Sequence, residues 1–163
     1  GDDISVISDF DKFKSFLDLK KKILEILNEN KILNLKFEDV WVQKKTYTEY
    51  LPDKLPNIPH IDKIRKFKVM IYLNPVTLSN GPINFLKIDP ESYENKKKNL
   101  KSNYKLNQEN QIMDYDKKDY FACLGSIGTT IFFDTNTPHF AGSFKNNSNE
   151  FFRKTLRFNF LKN

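Results

Sequence analysis

Between residues 9 and 29 the apolar positions Phe13, Phe16, Leu17, Ile23, Leu24 and Leu27 recur at spacings of three, four and seven. That period predicts an amphipathic helix, with Ser8 or Asp9 as its N-cap and one face that must be buried. After Leu33 the period shortens to two. Stretches 37–50, 66–73, 82–88, 128–134 and 151–161 are rich in Val, Ile, Phe, Tyr and Thr and are separated by turn residues, as strands of a mostly antiparallel domain would be. The expected fold is mainly β (α+β), with the helix packed on the sheet. Gly81, Gly125, Gly128 and Gly142 fall at strand ends or close to His139. Residues 89–119 break the pattern. They are dominated by Lys, Asn, Asp, Glu and Gln and predict a polar insertion or lid between a β core at about 34–88 and another at 120–163.

The 163 residues suit one domain, 1–163, with room for a single core. No apolar run approaches a membrane span and no charged-then-apolar leader opens the chain, so a soluble protein is expected. Cys123 stands alone, which excludes an internal disulfide and favours a reducing cytoplasm. The net charge of +6 raises the question of nucleic acid. The lysines, however, are scattered, and their densest run, Lys96-Lys97-Lys98, lies in the polar stretch. A solvated surface is the expected reading, and nothing fixes the oligomeric state.

The chemistry gathers at the only two histidines. His60 stands two residues before Asp62 in Pro59-His60-Ile61-Asp62, and His139 follows the apolar stretch 128–134. On a strand, positions two apart share a side, so His60 and Asp62 would present an imidazole and a carboxylate together while Ile61 turns into apolar packing. Two imidazoles and one carboxylate on one face of an ion, with open positions opposite, make the donor set of non-haem Fe(II) oxygenases. In the last strand Arg153, Thr155, Arg157 and Asn159 alternate with Phe152, Lys154, Leu156, Phe158 and Phe160. The apolar row belongs against the helix, which turns Arg153 inward, where a guanidinium fork suits a carboxylate. Arg157 is the fallback, and the bland alternative for either is a structural pair with an acid such as Asp134. Gln43, Lys45 and Tyr47 alternate on the strand before the His-x-Asp turn and are candidates to line the same cavity.

The blocks His60-Ile-Asp62, Lys68-Val-Met-Ile-Tyr-Leu-Asn74, Asn80-Gly81-Pro82-Ile-Asn-Phe85, Gly128-Thr-Thr-Ile-Phe-Phe-Asp134 with His139, and Phe152-Arg153-Lys154 together resemble the Fe(II)- and 2-oxoglutarate-dependent dioxygenases, in particular the phytanoyl-CoA dioxygenase-like branch. The resemblance covers most of the chain from about residue 37. It implies a double-stranded β-helix (jelly-roll) core with His60, Asp62 and His139 as catalytic iron ligands. It also implies 2-oxoglutarate and dioxygen as cosubstrates, with Arg153 pairing the far carboxylate of 2-oxoglutarate. Gln43, Tyr47, Thr155 and Arg157 complete the candidate cofactor-binding set. The implied reaction is hydroxylation of a C–H bond in a small molecule, with decarboxylation of 2-oxoglutarate to succinate. Asp62, where an Ala or Gly would open a position for halide, favours hydroxylation over halogenation.

Two departures bear on the substrate. Many members follow the Asn-Gly-Pro block with Pro-Gly-Ser-His, whereas this chain has Leu86-Lys-Ile-Asp-Pro90 and then the polar stretch. Tyr72-Leu73-Asn74 also resembles the prolyl-4-hydroxylase-like branch. A peptidyl or prolyl hydroxylase and a non-catalytic jelly-roll binding module therefore stay open beside the small-molecule hydroxylase. A nucleic-acid demethylase is disfavoured, because Arg153 and Arg157 stand closer together than the paired arginines of that branch.

Overall fold

Strand β8 (Phe152–Lys162) organises the molecule, because its two faces do different work. In the computed structural model, which describes residues 2–7, 9–32, 34–46, 57, 59–62, 64–87, 116–144 and 152–162, β8 lies at the centre of a five-stranded sheet. The remaining strands of that sheet are β1 (Asp2–Val6), β2 (Leu35–Thr46), β3 (Lys66–Tyr72) and β6 (Thr130–Asp134), in the order β1-β2-β8-β3-β6. A three-stranded sheet orders β5 (Tyr120–Ala122), β4 (Ile83–Leu86) and β7 (His139–Ala141). Every pairing is antiparallel.

Leu156, Phe158 and Phe160 of β8 pack with Val40, Phe67 and Val69 and with Ile23 and Leu27 of helix α1 (Lys14–Glu29). Phe158 and Phe160 are fully buried; removing such a ring typically costs about 3–5 kcal/mol. On the other side of the sheet Met70, Tyr72 and Phe133 meet Val76, Ile83 and Phe85, a second apolar cluster between the two sheets. The alternation of β3 and β8 thus serves both faces at once.

The helix starts later than its periodicity predicts. Asp9 opens a 3-10 turn at Phe10–Lys12 and pairs with Lys12, and extended Phe13 then serves as N-cap without a side-chain bond. Ser8 lies outside the described residues. The buried face also differs from the predicted one: Phe13 and Leu17 are exposed, while Phe16, Leu19 and Leu24 join Ile23 and Leu27 on the sheet. The helix ends where expected. Lys31 adopts φ 57, and the Lys31 and Ile32 amides donate back to the Asn28 and Leu27 carbonyls, a C-terminal closure that consumes otherwise orphaned acceptors.

Strands β1, β5 and β7, of five, three and three residues, were not among the predicted stretches. Of the polar stretch 89–119, residues 89–115 lie outside the described part, and 116–119 carry a 3-10 turn at Lys117–Asp119. Among the described residues, no helix is long and apolar enough to cross a membrane.

The Asn80-Gly81-Pro82 block earns its composition through the start of β8. Asn80 donates to the Pro75 and Phe152 carbonyls, and Asn74 donates to Phe152 and accepts from the Lys154 amide. Gly81 has φ 68, and a Cβ there would overlap the Phe144 ring. Gly81→Ala should therefore lose about 1–3 kcal/mol through backbone strain alone. A lowered urea midpoint with unchanged slope would show this; an unchanged midpoint would contradict it.

Candidate metal centre and its cavity

His60 belongs to no regular strand, contrary to the expectation from its i, i+2 spacing with Asp62. It forms a single bridge to His139, each amide donating to the other's carbonyl at 2.9 Å. Asp62 is placed by its own amide, which donates to the Thr135 carbonyl at 3.0 Å, and Thr135 is in turn bonded to both backbone groups of Lys66. Ile61 between them is buried. Backbone bonds, rather than strand alternation, bring the two halves of the site together.

One ligand-competent atom from each of His60, Asp62 and His139 lies within 4.8 Å of the others. Asp62 Oδ1 is 3.6 Å from His139 Nε2 and 4.0 Å from His60 Nε2. The His139 ring is fixed by Nδ1, 2.8 Å from the Thr137 carbonyl. A carbonyl only accepts, so Nδ1 carries a proton, and Nε2, facing Asp62, is left to hold either a proton shared with the carboxylate or a cation in its place. Nitrogen and carboxylate oxygen facing each other need a proton or a shared cation between them. The donor set, two imidazoles and one carboxylate, fits a divalent first-row ion.

Lys68 holds the other carboxylate oxygen, with Nζ 2.5 Å from Asp62 Oδ2. Burial pushes the Asp62 carboxyl up, but the hydrogen bond to His139 and the charge and hydrogen bond of Lys68 outweigh it, so the group sits well below the usual carboxylate range. Burial lowers Lys68, and the Asp62 charge only partly resists it. Asp62 therefore stays ionised, with Oδ1 turned to the histidines and Oδ2 tied back. Lys68 was not among the predicted site residues. Its signal was a charge on the inward row of β3, two positions before Met70. Lys68→Met should lower metal-free stability by about 1–3 kcal/mol, below the usual cost of breaking a buried pair because both groups keep some water contact. Added Ni(II) should then raise the melting temperature more in the variant than in the parent. An equal or smaller metal-induced rise would contradict this role.

Above the triad opens a cavity of about 240 Å³, lined by Gln43, Lys45, Lys68, Met70, Phe133, Arg153 and Arg157 among others. Arg153 is buried and its Nη1 donates to the Gly81 carbonyl. Thr155, the next inward residue on β8, is buried with an Oγ1 that makes no hydrogen bond. Arg157 Nη2 donates to Gln43 Oε1 at 2.9 Å. Tyr47 lies outside the described residues. Asp134, the acid considered as a partner for Arg153 or Arg157, instead binds Arg65 through Nε and Nη2. That pair closes the turn 134–137, where the Asn136 and Thr137 amides donate to Asp134, and so it supports the loop that delivers His139.

The metal ligands and the two arginines stand at different depths. Phe85 of β4 is in register with His139, and Gly81 lies four residues away, about 13 Å along an extended chain. Arg153, bonded to Gly81, therefore marks the end of the cavity remote from the triad.

No protein-family model and no curated protein matches the chain. Solved structures do. EvdO2 from Micromonospora carbonacea var. aurantiaca, complexed with 2-oxoglutarate, aligns over 80% of this chain and 53% of its own at 17% identity and TM-score 0.52. HygX from Streptomyces hygroscopicus with iron bound aligns over 98% of this chain and 71% of its own at 9% identity and TM-score 0.58. ThoJ, a non-heme monooxygenase in its apo form, aligns over 78% of this chain and 46% of its own at 12% identity and TM-score 0.51. The chain thus spans about half the length of EvdO2 and ThoJ. What it shares with these oxygenases is a β-rich, jelly-roll-like fold.

Proposed function

We propose that this chain is an Fe(II)- and 2-oxoglutarate-dependent oxygenase domain that hydroxylates a C–H bond of a small molecule. On this reading its core is a double-stranded β-helix of the phytanoyl-CoA dioxygenase-like branch. The observation that carries the reading is the convergence of His60, Asp62 and His139 within 4.8 Å at one end of a cavity. Buried Arg153 lines the same cavity, and Thr155, its neighbour on the inward row of β8, is buried with a hydroxyl that makes no hydrogen bond. The fold shared with EvdO2 and HygX, solved with 2-oxoglutarate and with iron respectively, supports it.

Iron and 2-oxoglutarate, when bound, would supply the oxidising chemistry: dioxygen is reduced as the oxo acid loses CO2 to become succinate, and one oxygen atom passes to the substrate. His60 Nε2, His139 Nε2 and Asp62 Oδ1 would hold the metal. Together with the His139 hydrogen bond, Lys68 keeps Asp62 ionised, and by holding Oδ2 it leaves Oδ1 turned to the histidines. Thr137 fixes the His139 tautomer. Arg153 and Thr155 would take the far carboxylate, the guanidinium through paired donors and the hydroxyl through its idle proton. Met70, Ile83 and Phe133 wall the cavity with apolar surface and limit water near the reacting atoms.

The test is oxygen-dependent succinate formation from 2-oxoglutarate by the Fe(II)-loaded chain. The expected result is turnover that requires both oxygen and Fe(II). A folded, metal-loaded protein that makes no succinate would overturn the reading in favour of a binding module.

A further inference from the structure

Thr135 stands where the β3–β6 ladder gives way to the metal centre. It is fully buried and directly follows β6, whose register with β3 runs from Ile71 opposite Thr130 to Phe67 opposite Asp134. One step further, Lys66 faces Thr135. In a regular antiparallel ladder a hydrogen-bonded pair exchanges two bonds, each amide donating to the other's carbonyl. Here the Thr135 amide donates to the Lys66 carbonyl at 2.9 Å. The Lys66 amide, however, donates to Thr135 Oγ1 at 2.8 Å, and the Thr135 carbonyl accepts the Asp62 amide at 3.0 Å. The hydroxyl thus takes the place of its own residue's carbonyl and releases that carbonyl to Asp62.

Three supports of the site meet at this exchange. The Asp62 main chain hangs on the Thr135 carbonyl. Lys66 opens β3 two residues before Lys68, whose Nζ holds Asp62 Oδ2. Thr135 itself lies in the turn 134–137, whose Thr137 carbonyl fixes the His139 ring. The spacing of Asp62 Oδ1 from His139 Nε2, 3.6 Å, is therefore set by how Thr135 meets Lys66 and Asp62. Valine has nearly the same shape and no acceptor. With it, the Lys66 amide is left either unpaired or in competition with the Asp62 amide for one carbonyl. Each way out shifts Asp62, or β3 with Lys68, against the turn that carries His139.

We propose that Thr135 is a positioning residue of the metal centre: its hydroxyl relieves its carbonyl of Lys66 and so holds Asp62 at the spacing from His139 that a shared divalent ion requires. The inference rests on the metal-centre part of the oxygenase reading and deepens it with a determinant outside the three ligands and outside the cavity lining. Groups that orient ligands in this way typically govern metal affinity by roughly 10–100-fold.

The experiment measures Ni(II) affinity by calorimetry and the visible ligand-field absorption of the Co(II) form, in the full chain and its variants. That spectrum reports the arrangement of the donor atoms, which a general loss of stability does not move. Thr135→Val should weaken Ni(II) binding at least tenfold and alter the Co(II) spectrum. Thr135→Ser, which keeps the hydroxyl, should bind Ni(II) within threefold of the parent and give the parent's spectrum. Thr135→Cys, whose thiol is a weak acceptor, should fall between; it carries the comparison if the valine variant does not fold. Ile23→Val, a core change where α1 meets the opposite face of the sheet, controls for lost stability and should leave both readouts as in the parent. Parent-like Ni(II) affinity and Co(II) spectrum in the variant that lacks the hydroxyl would overturn the proposal. So would a serine variant as weak as the valine or cysteine one, or an equal loss in Ile23→Val. A folded parent that takes up neither Ni(II) nor Co(II) would overturn the metal-centre reading, and this proposal with it.

Discussion

Replacing His139 by alanine should weaken divalent metal binding by about 100-fold or more and abolish turnover, because changing groups that only support ligands already costs roughly 10–100-fold. His139 offers Nε2 to the shared site, and its Nδ1 is committed to Thr137. The backbone bonds between His60 and His139 do not depend on the imidazole, so the fold should survive. Calorimetry with Ni(II), beside a circular dichroism spectrum of the variant, separates loss of the site from loss of structure. A folded His139→Ala protein that binds Ni(II) as well as the parent would remove His139 from the ligand set.

Arg153→Ala should raise the 2-oxoglutarate requirement at least tenfold while metal binding persists. The guanidinium is buried in the cavity lining, and the Gly81 carbonyl accepts from its Nη1. A desolvated, charge-assisted pair lost there should cost about 2–5 kcal/mol of cosubstrate binding. Lys154, exposed on the opposite face of β8, should cost about 1 kcal/mol or less when removed. A larger effect from Arg157→Ala than from Arg153→Ala would move the cosubstrate site four residues along the strand.

The longer elements were legible because each carries several turns or pleats of one period. The row Leu156, Phe158, Phe160 gave β8 its outer face, and with it the inward aspect of Arg153, Thr155 and Arg157. The short strands β5 and β7 hold three residues each, too few for alternation to register. The juxtaposition of His60 with His139 was legible only as chemistry, since their bridge rests on backbone groups that any residue could supply. Lys68 was missed as a site residue, and Arg65 took the acid weighed for Arg153 and Arg157. Both outcomes turn on which charges meet across 6 and 69 residues of chain, and neither composition nor period records that. The helix start failed for a local reason, as an extended Phe13 separates the Asp9 turn from α1.

The central claim is that His60, Asp62 and His139 hold a metal which 2-oxoglutarate then chelates. Anaerobic addition of Fe(II) and 2-oxoglutarate to the folded chain tests it most directly, through the visible metal-to-ligand charge-transfer absorption that such a chelate gives. A band that saturates at one Fe(II) per chain and is absent from His139→Ala is the result expected. A folded protein that shows no band, or a band unchanged in that variant, would contradict the account.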